Sequence, residues 1–230
     1  MKTSIFSLLI ITIFLCSCQK EVSLEKSTGG GGSGSGLVAC KDCIYIPMCD
    51  GSWYTYNDTL LGTAQIATDT LRFVKDTTIS NLAFKKFLSP AQQSYTYASC
   101  NNGTSRVIAY NAVGAGGSSV TKIDITMLKA NLAVNGAWTD TIVNPAGQQV
   151  LYTSTLEEKG VSRTVNGKVF ADVMHVYVET GIDIPGFGFF LTNTSDYYYA
   201  KGVGLIEAII EDPSSGTVLQ HRAIKAYFIP

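Results

Sequence analysis

The stretch Val-Met-His-Val-Tyr-Val-Glu, residues 173–179, decides the reading of the fold. Its β-branched and aromatic side chains alternate with a period of two, which is the repeat of a strand and not the 3.6 of a helix. His175 shares its face with Val173 and Tyr177, so it reads as a satisfied sheet histidine. The same period recurs on both sides. Ser-Trp-Tyr-Thr-Tyr (52–56), Thr-Leu-Arg-Phe-Val-Lys (70–75), Arg-Val-Ile-Ala-Tyr (106–110), Gln-Val-Leu-Tyr-Thr-Ser-Thr (149–155) and Arg-Ala-Ile-Lys-Ala-Tyr-Phe (222–228) all read as strands. Turn signals lie between them at Asn102-Gly103, Asn135-Gly136, Asn166-Gly167 and Ser215-Gly216. Asn-Gly supplies the two positive-φ positions of a tight hairpin. No stretch carries a long capped helix, and 82–88 offers a turn or two at most. The expected class is all-β and mainly antiparallel, with little helix apart from the N-terminal segment.

Three pairs of segments echo one another in the same order. Gly-Ser-Trp-Tyr-Thr-Tyr-Asn-Asp-Thr (51–59) resembles Gly-Ala-Trp-Thr-Asp-Thr (136–141), so both tryptophans, Trp53 and Trp138, follow Gly-x. Phe84 and Phe170 are matched in the segments 78–87 and 164–173, and Tyr-Thr-Tyr-Ala (95–98) matches Tyr-Tyr-Tyr-Ala (197–200). The offsets are 85, 86 and 102 residues, which places an insertion of about sixteen residues near 180–190 in the second copy. Two β-meanders, about 45–111 and 130–230, are expected to form one curved sheet or open half-barrel. The body, 37–230, is long enough for a single domain.

Composition excludes some functions. With 17 basic and 18 acidic residues the formal charge is −1, and no block of Lys or Arg provides a footprint for nucleic acid. The N-terminus reads as a targeting segment. Met1-Lys2 precedes an apolar core of eleven residues, 5–15, whereas a membrane helix needs roughly 20. Leu15-Cys16-Ser17-Cys18 resembles a bacterial lipobox, which makes 1–17 a signal peptide and Cys18 the lipidation site. Each buried acyl methylene contributes about 0.8 kcal/mol, so two or three chains hold a protein stably. The run 18–36 then reads as a tether. Its Gly/Ser part, 27–36, has a reach on the order of 17 Å as a flexible coil. Cys-Gln-Lys-Glu (18–21) resembles the start of surface-export signals of Bacteroidota lipoproteins, with Val22 in place of a second acidic residue. The expected location is the bacterial outer membrane, on its cell-surface or periplasmic face.

Four cysteines remain in the body: Cys40, Cys43, Cys49 and Cys100. In an extracytoplasmic setting they are disulfide candidates, with three possible connectivities. Cys-Lys-Asp-Cys (40–43) has zinc-ligand spacing, but no second close pair or nearby histidine completes a site. No metal or cofactor is therefore expected.

The search for catalytic chemistry is brief, because His175 and His221 are the only histidines. Hydrolase elbows, zinc-protease motifs and phosphate loops do not occur, and Gly-Ala-Gly-Gly-Ser-Ser (114–119) reads as a loop. Glu157-Glu158 reads as a solvated turn and Glu207 with Glu211 as the brackets of an apolar run, so no catalytic residue is assigned. Asp58-Thr59-Leu60, Asp69-Thr70-Leu71, Asp76-Thr77-Thr78 and Asp140-Thr141-Ile142 resemble the acceptor pattern of Bacteroidota O-glycosylation, which makes Thr59, Thr70, Thr77 and Thr141 candidates. The bland reading is that these aspartates end strands. Asp-Ile-Pro-Gly-Phe-Gly-Phe-Phe (183–190) contains Phe187, Phe189 and Phe190, either an exposed binding loop or core.

Two further segments carry a family resemblance. Tyr-Ile-Pro-Met-Cys-Asp-Gly-Ser-Trp-Tyr-Thr-Tyr (45–56) and Tyr-Tyr-Ala-Lys-Gly-Val-Gly-Leu-Ile-Glu (198–207) resemble the opening and closing signatures of a group of Bacteroidota exported lipoproteins. Those signatures are Tyr-x-Pro-Leu, Gly and Trp-x-Tyr at the start and Ala-Lys-Gly-Val-Gly-Leu at the end. Here Met48 replaces Leu and Trp53 stands one place early. The resemblance implies a β-rich fold and an envelope location, and it transfers no catalytic residue.

The expected function is non-enzymatic binding or scaffolding at the outer membrane, with a glycan, a lipid or an envelope protein as ligand. A second reading is a carrier for an apolar ligand, whose mark is a deep apolar cavity. A third is an envelope hydrolase, whose mark is a cleft where titratable residues converge. Cells fed a palmitate analogue are expected to label the wild-type chain, and the Cys18→Ser variant is expected to take up no label.

Overall fold

The computed structural model describes residues 43–60, 66–113 and 119–230, with side chains for all of these except 111–113 and 119–121. The signal segment, Cys16, Cys18, the tether, Cys40 and residues 114–118 lie outside the described residues. The chain separates into two units, Met1–Gly36 and Leu37–Pro230, and every described residue belongs to the second.

Twelve strands form one sheet among the described residues. The first six are β1 (Trp53–Leu60), β2 (Ile66–Ile79), β3 (Leu82–Ser89), β4 (Ser94–Asn101), β5 (Thr104–Val113) and β6 (Ser119–Lys129). The second six are β7 (Ala137–Val143), β8 (Gln149–Val165), β9 (Lys168–Ile184), β10 (Gly188–Ala200), β11 (Gly204–Asp212) and β12 (Thr217–Phe228). Every neighbouring pair is antiparallel, and the spatial order is β6-β5-β4-β3-β2-β1-β12-β11-β10-β9-β8-β7. The class is therefore all-β and antiparallel, as its periodicity predicts.

First and last strands pair at the centre of the sheet, with Trp53 opposite Phe228, so the consecutive strands β6 and β7 become its two edges. The sheet curls until these edges meet at a seam with no ladder. There the Thr126 backbone N–H donates to Asp140 Oδ2 at 2.8 Å, and the Trp138 indole N–H donates to the Thr126 carbonyl at 2.9 Å. Unpaired edge groups are templates for aggregation. At this seam, side chains of one edge occupy the backbone groups of the other.

The hairpins follow local chemistry. Asn102-Gly103 and Asn166-Gly167 both have positive φ at the two central residues, as a type I′ turn requires. Ser80-Asn81 (φ 51° and 63°) does the same without a glycine. Asn135-Gly136 is different, since it belongs to the connection between the two edges. A Cβ on Gly136 would meet the Ala133 carbonyl at 2.9 Å. The segment 82–88, with its expectation of a helical turn, is strand β3. The turn at 80–81 sends the chain back along β2, and the ladder from Arg72–Leu88 to Ile79–Leu82 overrides local propensity.

Each echo noted in the sequence occupies equivalent strands of the two six-strand runs. Trp53 and Trp138 lie in the first strand of each run, Phe84 and Phe170 in the third, and the Tyr-x-Tyr-Ala segments in the fourth. The extra length near 180–190 extends a hairpin. β9 and β10 have 17 and 13 residues, whereas β3 and β4 have 8 each.

Strands β1, β3, β5, β6, β10 and β11 send Tyr54, Phe87, Val107, Met127, Tyr199 and Leu205 to one shared interior, which defines the concave face. The segment before β1 caps one end of it. Tyr45 is buried there and donates its hydroxyl to Asp172, the Tyr54 hydroxyl donates to the Pro47 carbonyl, and Gly202 N–H donates to the Ile44 carbonyl. A Cys43–Cys100 disulfide, with Cα atoms 6.1 Å apart, staples this segment to β4. The bond closes a separation of 57 residues, worth about 4 kcal/mol in the chain-entropy model. Cys49 is disulfide-bonded as well.

Because all odd-numbered strands run the same way, the two ends of the body are distinct. Residue 43 enters at the near end, which also holds the turns at 80–81, 102–103, 166–167 and 201–203. The far end holds the turns after β3, β7, β9 and β11.

Removing the seam contact tests its importance. Asp140→Ala strands the Thr126 N–H and is expected to lower stability by about 1–2 kcal/mol in urea unfolding, with Asp140→Asn costing less.

Candidate functional site

Two polar nests occupy opposite faces of the sheet. The concave one is built on register: Asp58 of β1 stands opposite Arg222 of β12, and Asp69 of β2 stands opposite Tyr56. The Arg222 guanidinium grips Asp58 with both arms, Nε to Oδ1 at 2.6 Å and Nη2 to Oδ2 at 2.8 Å, and reaches Asp69 Oδ2 at 3.3 Å. The Ser89 hydroxyl donates to Asp69 Oδ1, and the Tyr56 ring centroid lies 5.1 Å from the guanidinium carbon. Asp58 and Asp69 are only 7% and 3% exposed. Burial works against the arginine's charge, but the hydrogen bond and charge of Asp58 outweigh it and hold the guanidinium above its ordinary pKa. This nest is a fully engaged structural network.

It also explains half of the Asp-Thr recurrence. Asp76 pairs with Lys85 at 2.6 Å and Asp140 bridges the seam, so all four aspartates have mid-strand structural partners and none ends a strand. Thr59, Thr70 and Thr77 are half-buried in β1 and β2, and the Thr70 hydroxyl is 3.0 Å from that of Thr55. Thr141 is exposed on the edge strand β7.

The convex nest gathers both histidines. His175, Tyr198 and Glu207 lie side by side on β9, β10 and β11. His175 Nε2 is 2.6 Å from Asp196 Oδ1, and its ring stacks on Tyr198 at 4.4 Å and 11°. The Arg163 guanidinium carbon lies 3.4 Å from the centroid of the same ring, necessarily on the other side of it, since two planar groups cannot share one face. Arg163 Nε donates to Glu207 Oε2, while His221 Nε2 lies 2.8 Å from Glu207 Oε1. Glu157 and Glu158 form no turn. They lie mid-strand at a bulge, and this brings both carboxylates to His175 Nδ1, at 3.4 and 3.7 Å. Glu207, expected as a simple bracket, is buried.

Titratable side chains therefore do converge, contrary to the sequence reading. Their chemistry is closed: each imidazole faces carboxylates, and no hydroxyl or thiol nucleophile is bonded to either ring among the described residues. No group of three His, Cys, Asp or Glu side chains there has metal-binding geometry. Strand separation in sequence hid this nest, and the bulges that complete it leave no periodic signal.

The interior holds an apolar cavity of about 130 Å³, lined by Ile46, Met48, Leu71, Val107 and Met127 among others. Sites for small-molecule ligands run from about 300 to 1,000 Å³. Burial pushes the Tyr54 hydroxyl up to about 12 and those of Tyr56 and Tyr199 further. Tyr199 is 1% exposed, and its hydroxyl has no hydrogen-bond partner among the described residues.

The far end is different in character. Pro185 and Gly186 (φ 83°) form a type II turn in which Phe187 N–H donates to the Ile184 carbonyl. Phe187 at its tip is 81% exposed, and Phe189 and Phe190 are about half-exposed. The Phe189 ring lies over Gly181, where a Cβ would meet it at 2.3 Å. Leu60, Ile66, Val143 and Val218 are exposed at the same end. The phenylalanines are thus exposed and not core, with Phe187 in the turn and Phe189 and Phe190 at the start of β10.

Comparison with protein-family models and with curated protein sequences gives no match. Solved structures do match in fold. A "putative lipoprotein" from Parabacteroides distasonis aligns with 82% of this chain and all of its own length, at 13% identity and a TM-score of 0.50. A "putative exported protein with YmcC-like fold" from Bacteroides fragilis covers 81% of this chain and all of its own, at 9% identity and a TM-score of 0.47. The first likeness shows that this architecture occurs in that protein of Parabacteroides distasonis.

Buried tyrosines give a direct check of the closed interior. The measurement is an alkaline titration of the 12 tyrosines followed by phenolate absorbance. Tyr54, Tyr56 and Tyr199 should ionise only as the fold is lost. Their hydroxyls are raised in the folded state, so their contribution to stability is complete below pH 10 and lost as pH rises toward 12 and beyond.

Proposed function

We propose that the chain is a lipid-anchored protein of the bacterial cell envelope that works by binding, with the far end of its sheet as the contact surface. The lipobox ending at Cys18, the glycine-rich tether and the resemblance to exported lipoproteins support the location. The observation that carries the binding role is Phe187, exposed at the end of the body opposite residue 43. Exposed apolar groups gathered at a body's tip mark an interaction surface. The flanking Leu60, Ile66, Val143 and Val218 are aliphatic, which fits an apolar patch on another envelope protein better than a glycan.

The carrier reading is weaker, because the observed interior cavity is below the size of a ligand site. The hydrolase reading is weaker too, because the convex nest has all its groups engaged with one another.

A photo-crosslinking residue placed at Phe187 in growing cells is expected to yield protein adducts, and one at the near-end residue Val169 none. Equal adducts from both positions, or none from Phe187, would reject the distal contact surface.

A further inference from the structure

At the near end the β8–β9 hairpin folds across its neighbours. Register shifts between Leu156 and Glu158, Lys159 and Val161, and Val161 and Arg163 bend it, so that Arg163 reaches β11 and Asn166 Nδ2 donates to the Ile224 carbonyl of β12 at 2.9 Å. Between the hairpin tip and β12 lies a cleft of about 400 Å³, within the range of ligand sites. Its floor is apolar, from Val165, Phe170 and Ile224, and its rim carries Lys168, Lys225 and Tyr227. The Lys168 ammonium is positioned. It donates to the Tyr227 hydroxyl at 2.8 Å and stands 4.4 and 5.1 Å from the Tyr227 and Phe170 ring centroids. Among the described residues neither Lys168 nor Lys225 has a carboxylate partner, whereas Lys85, Lys122 and Lys201 each have one.

The rest of the body follows the same polarity. Of the lysines without a carboxylate partner among the described residues, Lys75, Lys129, Lys159, Lys168 and Lys225 stand toward the near end, and Lys86 stands in the middle of β3. Glu179, Asp183 and Glu211, without cationic partners among the described residues, stand toward the far end. The held Lys168 ammonium, with a second lysine lining the same apolar, aromatic cleft, fits an anion joined to an apolar body. We propose that this cleft binds a phosphate group, and that its natural source is the headgroup of a lipid in the membrane to which the chain is tethered. The near end, where residue 43 enters, then rests on that membrane, and the anionic far end faces away from it. The headgroup source rests on the tethered-envelope reading, whereas phosphate recognition by the cleft does not.

The test uses the full chain in vesicles and reads the rate at which an amine reagent labels each lysine, by mass spectrometry. Vesicles of neutral digalactosyl diacylglycerol, which carry no phosphate, are compared with the same vesicles containing about a quarter phosphatidylglycerol, and with the neutral vesicles in millimolar inorganic phosphate. Slowing of Lys168 and Lys225 by roughly fivefold or more with phosphatidylglycerol, beyond any slowing of Lys129, supports the headgroup site. Slowing by inorganic phosphate alone supports a phosphate cleft and overturns the lipid source. Equal labelling in all three conditions, or equal slowing of Lys129, overturns the cleft. The Phe187 crosslinks report the opposite end of the body, so failure of one proposal leaves the other standing. If the anchor itself fails, the inorganic phosphate arm still reads the cleft in solution.

Discussion

The ladder between β1 and β12 is the contact on which this structure depends. It joins Trp53 to Phe228 and Leu60 to Gln220, and without it the two six-strand runs would be separate sheets, each with an additional open edge. Once it forms, the first and last strands meet at the centre of the sheet, and β6 and β7 are left as the only edges among the described strands. Most of the sheet consists of local hairpins that close cheaply, whereas this one ladder closes a loop of nearly the whole domain. Long loop closures slow folding and reward it late. The Asp58–Arg222 pair lies across this same ladder, so its bidentate geometry also specifies the register in which the two halves join.

The two faces solve the problem of buried charge in related ways. On the concave side one arginine serves two aspartates. On the convex side an arginine and a histidine serve Glu207, and a tyrosine ring separates Arg163 from His175. Buried ion pairs are weak evidence of net stability, since an apolar replacement of the whole set is often as stable. Loss of one member is another matter, because it leaves an uncompensated charge. Both nests are therefore better regarded as devices that exclude wrong registers than as sources of stability.

Much of this architecture was legible in the sequence, and the failures have physical causes. Segments such as 173–179 and 222–228 carry β-branched residues at strict alternation, so they read as strands unaided. β11 was hidden because its run Leu-Ile-Glu-Ala-Ile-Ile is apolar on both faces and has no period. β4 was hidden because Ser-Tyr-Thr-Tyr-Ala-Ser-Cys is largely polar, and β3 because its lysine pair breaks the alternation. The exposed aromatic turn was visible through Pro185-Gly186. The convex nest was not, because its residues span five strands and depend on bulges at 157 and beyond. The lysine cleft was equally hidden, since nothing local brings residue 168 to residue 227.

The pairing of the first strand with the last, β1 with β12, has a consequence for how the two runs relate. Every ladder in the sheet survives if their order along the chain is exchanged, provided a short linker joins residue 230 to the segment that caps the near end. The opening would then fall in the connection 130–136, which crosses a seam where no backbone ladder is broken. In this topology the genetic order of the halves is a historical choice, and their spatial order is a physical one.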